Sequence, residues 1–276
     1  MKLSINTLIT TLAMTAAFSG CNKSSGSNNV TTNFSVTGSR QDVLVQNNFQ
    51  KAFSLIIPTA VALPPAALED KTGAAVNLSK AWIVLKKIQF KTGQVEESGE
   101  SSITSSNYKG PFFIDLLSPD PVPFGDISLP EKGLRRVKML LHKDSSIPAS
   151  APAELNGNSI FLKGVVRSFD FTFAADETTD IQISGPKAVV PEEGKDLLAT
   201  IRVAHLFKKI DLSDIIANTN ISSLNRVMAS NPCPEIHPGA NDLYTCFRKG
   251  IAQEAKFGKD AVGDHDLDAN DDVVNE

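Results

Sequence analysis

The stretch "AVNLSKAWIVLKKIQFKT" (75–92) decides how this chain is read. Trp82, Val84, Lys86, Ile88 and Phe90 share one parity, and Ile83, Leu85 and Lys87 share the other. Period-two alternation in a run rich in β-branched and aromatic residues predicts a strand, not an amphipathic helix.

Working outward, the same signal returns in short pieces. "FSLIIPTAVAL" (53–63) is a strand-like apolar run, and Pro58, Pro64 and Pro65 bar it from forming a long helix. Downstream come "PFFIDLLSP" (111–119), "FGDISLPEKGLRRVKMLLHKD" (124–144) with a turn at 130–133, "SIFLKGVV" (159–166), "SFDFTFAA" (168–175), "TTDIQISG" (178–185) and "DLLATIRVAHLFKKIDL" (196–212). The polar stretch 94–110 between them reads as a loop. Strands at this spacing, punctuated by Pro, Gly and Asn, predict a sandwich or barrel and exclude an alternating βαβ plan. From Ser213 the period shifts towards helix: "LSDIIANTN" and "SSLNRVMAS" read as short helical turns. Leu243, Phe247 and Ile251 then recur every fourth residue, with Asn241 or Asp242 placed to cap that helix.

The N-terminus is an address. Lys2 is followed by an apolar run to Phe18, the plan of a secretory signal and too short to span a bilayer. Its end, Phe18-Ser19-Gly20-Cys21, resembles a bacterial lipobox. The resemblance implies that Cys21 is lipidated and becomes the first residue of the mature chain. Burial of acyl chains contributes about 0.8 kcal/mol per CH2, so two or three chains on one thiol make a durable anchor. Asn22, by resemblance to sorting rules of Gram-negative bacteria, favours the outer membrane over the inner. The alternatives are an ordinary signal with a free cysteine, or a plain N-terminal anchor.

The predicted organisation is therefore a signal peptide (1–20), a lipidated flexible tether (21–50), a β-sandwich domain (51–212), a helical appendage (213–260) and a disordered acidic tail (261–276). About 256 residues remain after the signal, and 41% apolar content supplies a core. The net charge of −4 is concentrated in the tail: without the six acids of 264–276 the chain carries about +2. No concentrated basic stripe of the kind nucleic-acid binding requires is visible along the chain.

The strand order resembles a bacterial family of secreted and lipid-anchored domains of unknown function with a prealbumin-like (transthyretin-like) Greek-key sandwich. The residues that carry the resemblance are "AWIVLKKIQF" (81–90), "FFIDLLSP" (112–119), "ISLPEKGLRRVKMLLHKD" (127–144), "SFDFTFAADETTDIQIS" (168–184) and "LLATIRV" (197–203). Where members of that family usually carry an aromatic after the glycine, this chain, in Glu131-Lys132-Gly133-Leu134, has Leu134. The fold expected is mainly β, a Greek-key prealbumin-like β-sandwich with a small helical C-terminal appendage. Such architectures are often labelled carbohydrate-binding-like, a fold analogy only.

Sites are few. Of three cysteines, Cys233 and Cys246 remain once Cys21 is set aside. In an oxidising compartment they are expected to pair, closing a loop of about 14 residues for roughly 3 kcal/mol. The alternatives are two free thiols, or a metal held by Cys233, His237 and Cys246. Asp264, Asp266, Asp268, Asn270 and Asp272 space oxygen ligands two apart, as calcium loops do. Ala269 stands where such a loop needs Gly and Asn275 where it needs Glu, so a solvated acidic terminus is the competing reading. Calcium is the one cofactor entertained; no other is expected.

GxSxG, HExxH, P-loop and dinucleotide fingerprints are missing from the sequence. His142 and His205 lie in strand-like runs. Asp115, Asp126 and Asp170 fall at strand ends and turns, where capping and solvation account for them. Phe169, Phe171 and Phe173 share a face that is either buried or binds something. The reading is a non-catalytic, lipid-anchored envelope protein with structural, adhesive or partner-binding roles and an unidentified protein or glycan partner. A carbohydrate-binding module is the alternative, although one Trp and two Tyr are few for aromatic platforms. An envelope hydrolase is a more distant one.

Overall fold

The computed structural model describes residues 29–39, 67–91, 107–131, 133–145, 147–261, 263–267 and 271–274. Within them the chain runs β1 (Asn29–Ser39), β2 (Ala67–Glu69), β3 (Ala75–Lys91), β4 (Asn107–Asp115), β5 (Val122–Pro130), β6 (Leu134–Leu141), a 3-10 turn (Ala153–Leu155), β7 (Ile160–Val166), β8 (Phe169–Ala175), β9 (Thr179–Val189), β10 (Asp196–Arg202), α1 (Val203–Lys208), β11 (Thr219–Ser222), α2 (Leu243–Gln253), β12 (Ala255–Asp260) and β13 (Asp272–Val273). The class is mainly β: two sheets face one another, with a small helical part. The smaller sheet has the order β13-β12-β10-β1-β5, in which β1 and β10 pair parallel. The larger follows β11-β8-β7-β3-β6-β9, with β2 and β4 also on β3.

β3 is the spine of the larger sheet. Its first half lies between β2 and β7, and its second between β4 and β6. The plain parity of the sequence fails within it. Register shifts at Leu78/Lys80 and at Leu85/Lys87 each insert an extra residue. Such bulges turn the following side chains over. Val76, Leu78, Ala81, Ile83, Leu85, Ile88 and Phe90 therefore all reach the core, whereas Trp82 and Val84 point the other way.

Two aromatic groups fill the interior. Under the second half of β3, Phe34 of β1 meets Phe90 edge-on at 5.0 Å, and Phe257 of β12 lies 5.9 Å from Phe90. Under the first half, Phe171 and Phe173 of β8 pack on Phe207 of α1 and Phe247 of α2. Each fully buried ring contributes roughly 1.5–3 kcal/mol. One half of the larger sheet is thus roofed by the smaller sheet, the other by helices. Gly38 is where β1 crosses β4: a Cβ there would stand 2.1 Å from the carbonyl oxygen of Leu116.

Several expectations are corrected. Asn29–Ser39, assigned to the tether, is an interior strand of the smaller sheet. Asn29, Thr31 and Asn33 are exposed while Phe34 and Val36 are fully buried, and Thr32, Thr37 and Ser39 are buried with them, so polar composition disguised it. The run 196–212 is not one strand: after Arg202 the apolar residues Val203, Ala204, Leu206 and Phe207 fall at helical spacing and form α1. The region 213–260 holds the longer helix, α2, as expected, but also strands of both sheets. "LSDIIANTN" and "SSLNRVMAS" are not helices, since β11 runs through Thr219–Ser222, and β12 lies between β10 and β13. Nor is the acidic end wholly disordered: β13 pairs with β12, and Leu267, Val273 and Val274 are buried. Phe169 parts from its neighbours, 40% exposed where Phe171 and Phe173 are buried. The run 53–63 lies outside the described residues. Among the described residues no helix is long and apolar enough to cross a membrane.

Candidate functional site: the outer face of the larger sheet

The residues singled out by sequence scatter in space. Cys21 lies outside the described residues. Cys233 and Cys246 are joined in a disulfide with Cα atoms 5.8 Å apart, which removes both thiolates from any metal site with His237. The bond pins the preceding loop to α2, whose N-terminus is capped by Asp242 through the Thr245 amide at 2.7 Å.

The tail residues do not converge either. Asp264 accepts from the amide of Asp266 at 3.2 Å, Asp266 is buried, and Asp272 reaches Lys259 at 2.9 Å; Asp268 and Asn270 lie outside the described residues. Among the described residues no group of three or more His, Cys, Asp or Glu gathers as a metal site. The ring nitrogen Nδ1 of His142 lies 2.8 Å from the Thr178 hydroxyl, and Asp115 accepts from the Leu117 amide at 2.9 Å. Asp126 is exposed, and its charge helps raise the phenol pKa of Tyr108, after the larger effect of burial.

The chemistry that does converge is on the face of the larger sheet turned away from the core. Pleating sends alternate residues of β3, β4, β6 and β9 there. The registers align three rows: Lys87, Leu140 and Asp180; Gln89, Lys138 and Gln182; Lys91, Arg136 and Ser184. Lys109 of β4 stands beside Lys87. Five cations face one carboxylate in these rows, and two like-charged pairs, Lys87–Lys109 and Lys91–Arg136, are directly opposite across strands.

Arg136 is the anomaly. Its side chain is 1% exposed, yet Nε and Nη1 have no hydrogen-bond partner among the described residues. Beside it the β6–β9 ladder breaks. Leu134 pairs with Val189 and Arg136 with Ser184, so one residue of β6 faces four of β9, 185–188. Arg135 turns out to the carbonyl of Pro186 in that same bulge. The alternation of "LRRVKMLL" places Arg136 with Lys138 as an outward residue, and nothing in it announces burial. The only hint is "SGPK" (184–187), a Gly-Pro pair inside a strand, which marks a bulge.

On the other half of this face Trp82 and Phe161 are direct cross-strand neighbours, both partly buried. Lys80 bonds Glu154 of the 3-10 turn, and that hydrogen bond holds the Glu154 carboxyl below its ordinary pKa. Beyond them Lys163, Asp170, Thr172, Asn218 and Thr219 line a cleft of about 250 Å³ floored by Phe171. It offers one ammonium, one carboxylate and neutral hydrogen-bonding groups, a set suited to holding a polar ligand. No histidine accompanies them to move a proton. Comparison of the chain with family models, with curated proteins and with solved structures returns no match.

Proposed function

We propose that the chain is a lipid-anchored, non-catalytic protein of the bacterial envelope, whose β body displays the outer face of the larger sheet to a partner. The observation that carries this reading is the position of Cys21, at the end of a signal-like run and eight residues before the first strand. Eight residues span at most about 29 Å when fully extended. Lipid on Cys21 would therefore hold one pole of the smaller sheet close to the bilayer, the pole where β1 begins.

The registers identify that pole. Asn29 of β1 lies opposite Pro130, Phe34 opposite Leu197, and Asp196 opposite Asp260. It carries Glu192, Glu193, Lys195 and Asp196, with Glu192 paired to Lys259, and the loop that leads from Asp260 to β13. Asn22 favours the outer membrane.

Metabolic labelling with a palmitate analogue tests the reading. The wild-type chain is expected to take up label and to sediment with membranes, and Cys21→Ala to lose both properties. A Cys21→Ala chain that stays on membranes would overturn it. The second reading, a carbohydrate-binding module, is favoured by the Trp82–Phe161 pair on the same face. Glycan-array binding that disappears in Trp82→Ala would support it.

A further inference from the structure

We infer that the cleft between β7, β8 and β11 holds one unit of a neutral glycan chain whose neighbouring unit lies on Phe161 and Trp82. This deepens the carbohydrate reading of the outer face and rests on it, not on the anchoring of Cys21. The registers set out two adjoining rows on that half of the face: Lys80, Lys163, Thr172 and Asn220, and beside it Trp82, Phe161, Ala174 and Ser222. Successive rows lie about 7 Å apart, two residues along a strand. On the far side of the first row, Asp170 and Asn218 complete the cleft with Lys163 and Thr172.

The cleft selects against net charge. Lys163 and Asp170 both line it, and among the described residues neither is in an ion pair. Glu154, which bonds Lys80, acts on Lys163 only from a distance. An anion drawn to the ammonium meets the Asp170 carboxylate, and a cation drawn to the carboxylate meets the ammonium. A neutral ligand rich in hydroxyls uses both, donating to Asp170 and accepting from Lys163. The Asn218 amide can do either, and Thr172, whose hydroxyl donates to Oδ1 of Asn220 at 3.2 Å, keeps its capacity to accept.

The adjoining row supplies the apolar half. Phe161 and Trp82 are both partly exposed, and beside Phe161 the row continues in the small residues Ala174 and Ser222. A sugar ring carries hydroxyls on its rim and C–H groups on its faces, so a chain of such rings matches a polar row beside an aromatic one. A zwitterion such as a free amino acid would use the two charges and leave the aromatic row idle. The cleft volume of about 250 Å³ suits a single ring, being smaller than the roughly 300–1,000 Å³ of sites that enclose drug-sized ligands.

The test applies the full chain, purified in detergent, to an array of neutral and acidic glycans, followed by calorimetry with the neutral tetrasaccharide retained best and, in parallel, with glycine. Retention of neutral glycans is expected, and no heat from glycine. Asp170→Ala and Lys163→Met change exposed positions and should melt as the wild type does. Each is expected to lower affinity for the tetrasaccharide at least about tenfold, the loss of a charge-assisted hydrogen bond. Phe161→Ala is expected to lower it about two- to tenfold. Binding that is lost in Trp82→Ala but unchanged in Asp170→Ala and Lys163→Met would keep the carbohydrate reading and strike the cleft. Retention of acidic glycans alone, retention of none, or glycine binding that depends on Lys163 and Asp170 would also overturn the inference. If Phe161→Ala does not fold, the two exposed variants decide it.

Discussion

Arg167, in the turn between β7 and β8, donates from Nη2 to Oδ2 of Asp70 at 3.1 Å, joining positions 97 residues apart. The Asp70 side chain is fully buried. It also accepts from the Thr72 amide at 2.8 Å, the Thr72 hydroxyl at 2.6 Å, the Ala74 amide at 2.9 Å and the Leu212 amide at 3.3 Å. One carboxylate thus ties the β2–β3 turn, the β7–β8 turn and the segment after α1. Arg167 and Ser168 hold φ values of 50° and 69°, the left-handed pair of a tight hairpin turn, which aims the guanidinium back at Asp70.

Removing that carboxylate leaves a cation and several amides without their acceptor. Asp70→Ala is expected to cost about 3–5 kcal/mol, as breaking a buried pair does. Asp70→Asn, which keeps an acceptor oxygen, is expected to cost less. Urea denaturation of the two variants checks both the size and the order.

The disulfide makes a second prediction. Cys233 and Cys246 are both fully buried, so thiol reagents should not reach them after mild reductant unless α2 opens. Cys233→Ala/Cys246→Ala is expected to lose roughly 3 kcal/mol from a closed loop of this length. Denaturant midpoints under oxidising and reducing conditions would measure it, and the variant should be insensitive to reductant.

How much of this was legible in the sequence depends on where each element's apolar residues lie. β7 and β8 alternate openly because each buries one face against a layer that is itself apolar, and β3 reads as a strand although its two bulges shift the parity. β1 was hidden because Asn29, Thr31 and Asn33 dominate its composition, although Phe34 and Val36 seat it in the core. β12 was hidden because Lys256, Lys259 and Asp260, all buried, read as surface. Lys259 shows how burial is tolerated: desolvation lowers the affinity of its amine for the proton, but hydrogen bonds to Glu192 and Asp272 outweigh it and raise the pKa. Those partners are 67 and 13 positions away, beyond any local pattern. Of the candidate site, none was legible: Lys87, Lys91, Lys109, Lys138 and Arg136 come from three strands and meet only through registers that two bulges in β3 displace.

The two tyrosines give a pH prediction. Burial, and then the carboxylates of Glu177 and Asp176, push the Tyr244 phenol up to about 12. Burial and then Asp126 raise Tyr108 as well. In the unfolded chain both ionise near 10. A pKa raised by folding means stability fully present below pH 10 and lost as pH climbs towards 12. Phenolate absorbance against pH should show native titration displaced upward from that in denaturant, and Tyr244→Phe should remove the later step.

The anchor reading also fixes an orientation. Glu193 lies at the pole where β1 begins, and Asp120 at the opposite end of the smaller sheet, where Val122 of β5 meets Val36. Fluorophores attached in turn at these two exposed positions, with the chain reconstituted in vesicles that contain quencher lipids, should be quenched more strongly at 193 than at 120. Equal quenching would contradict the short-leash geometry.

The most direct test is the intact mass and first residue of the chain extracted from cell membranes. A chain that begins at Cys21 and carries the added mass of two or three acyl groups is predicted. A chain of unmodified mass that begins at any other residue would contradict the account.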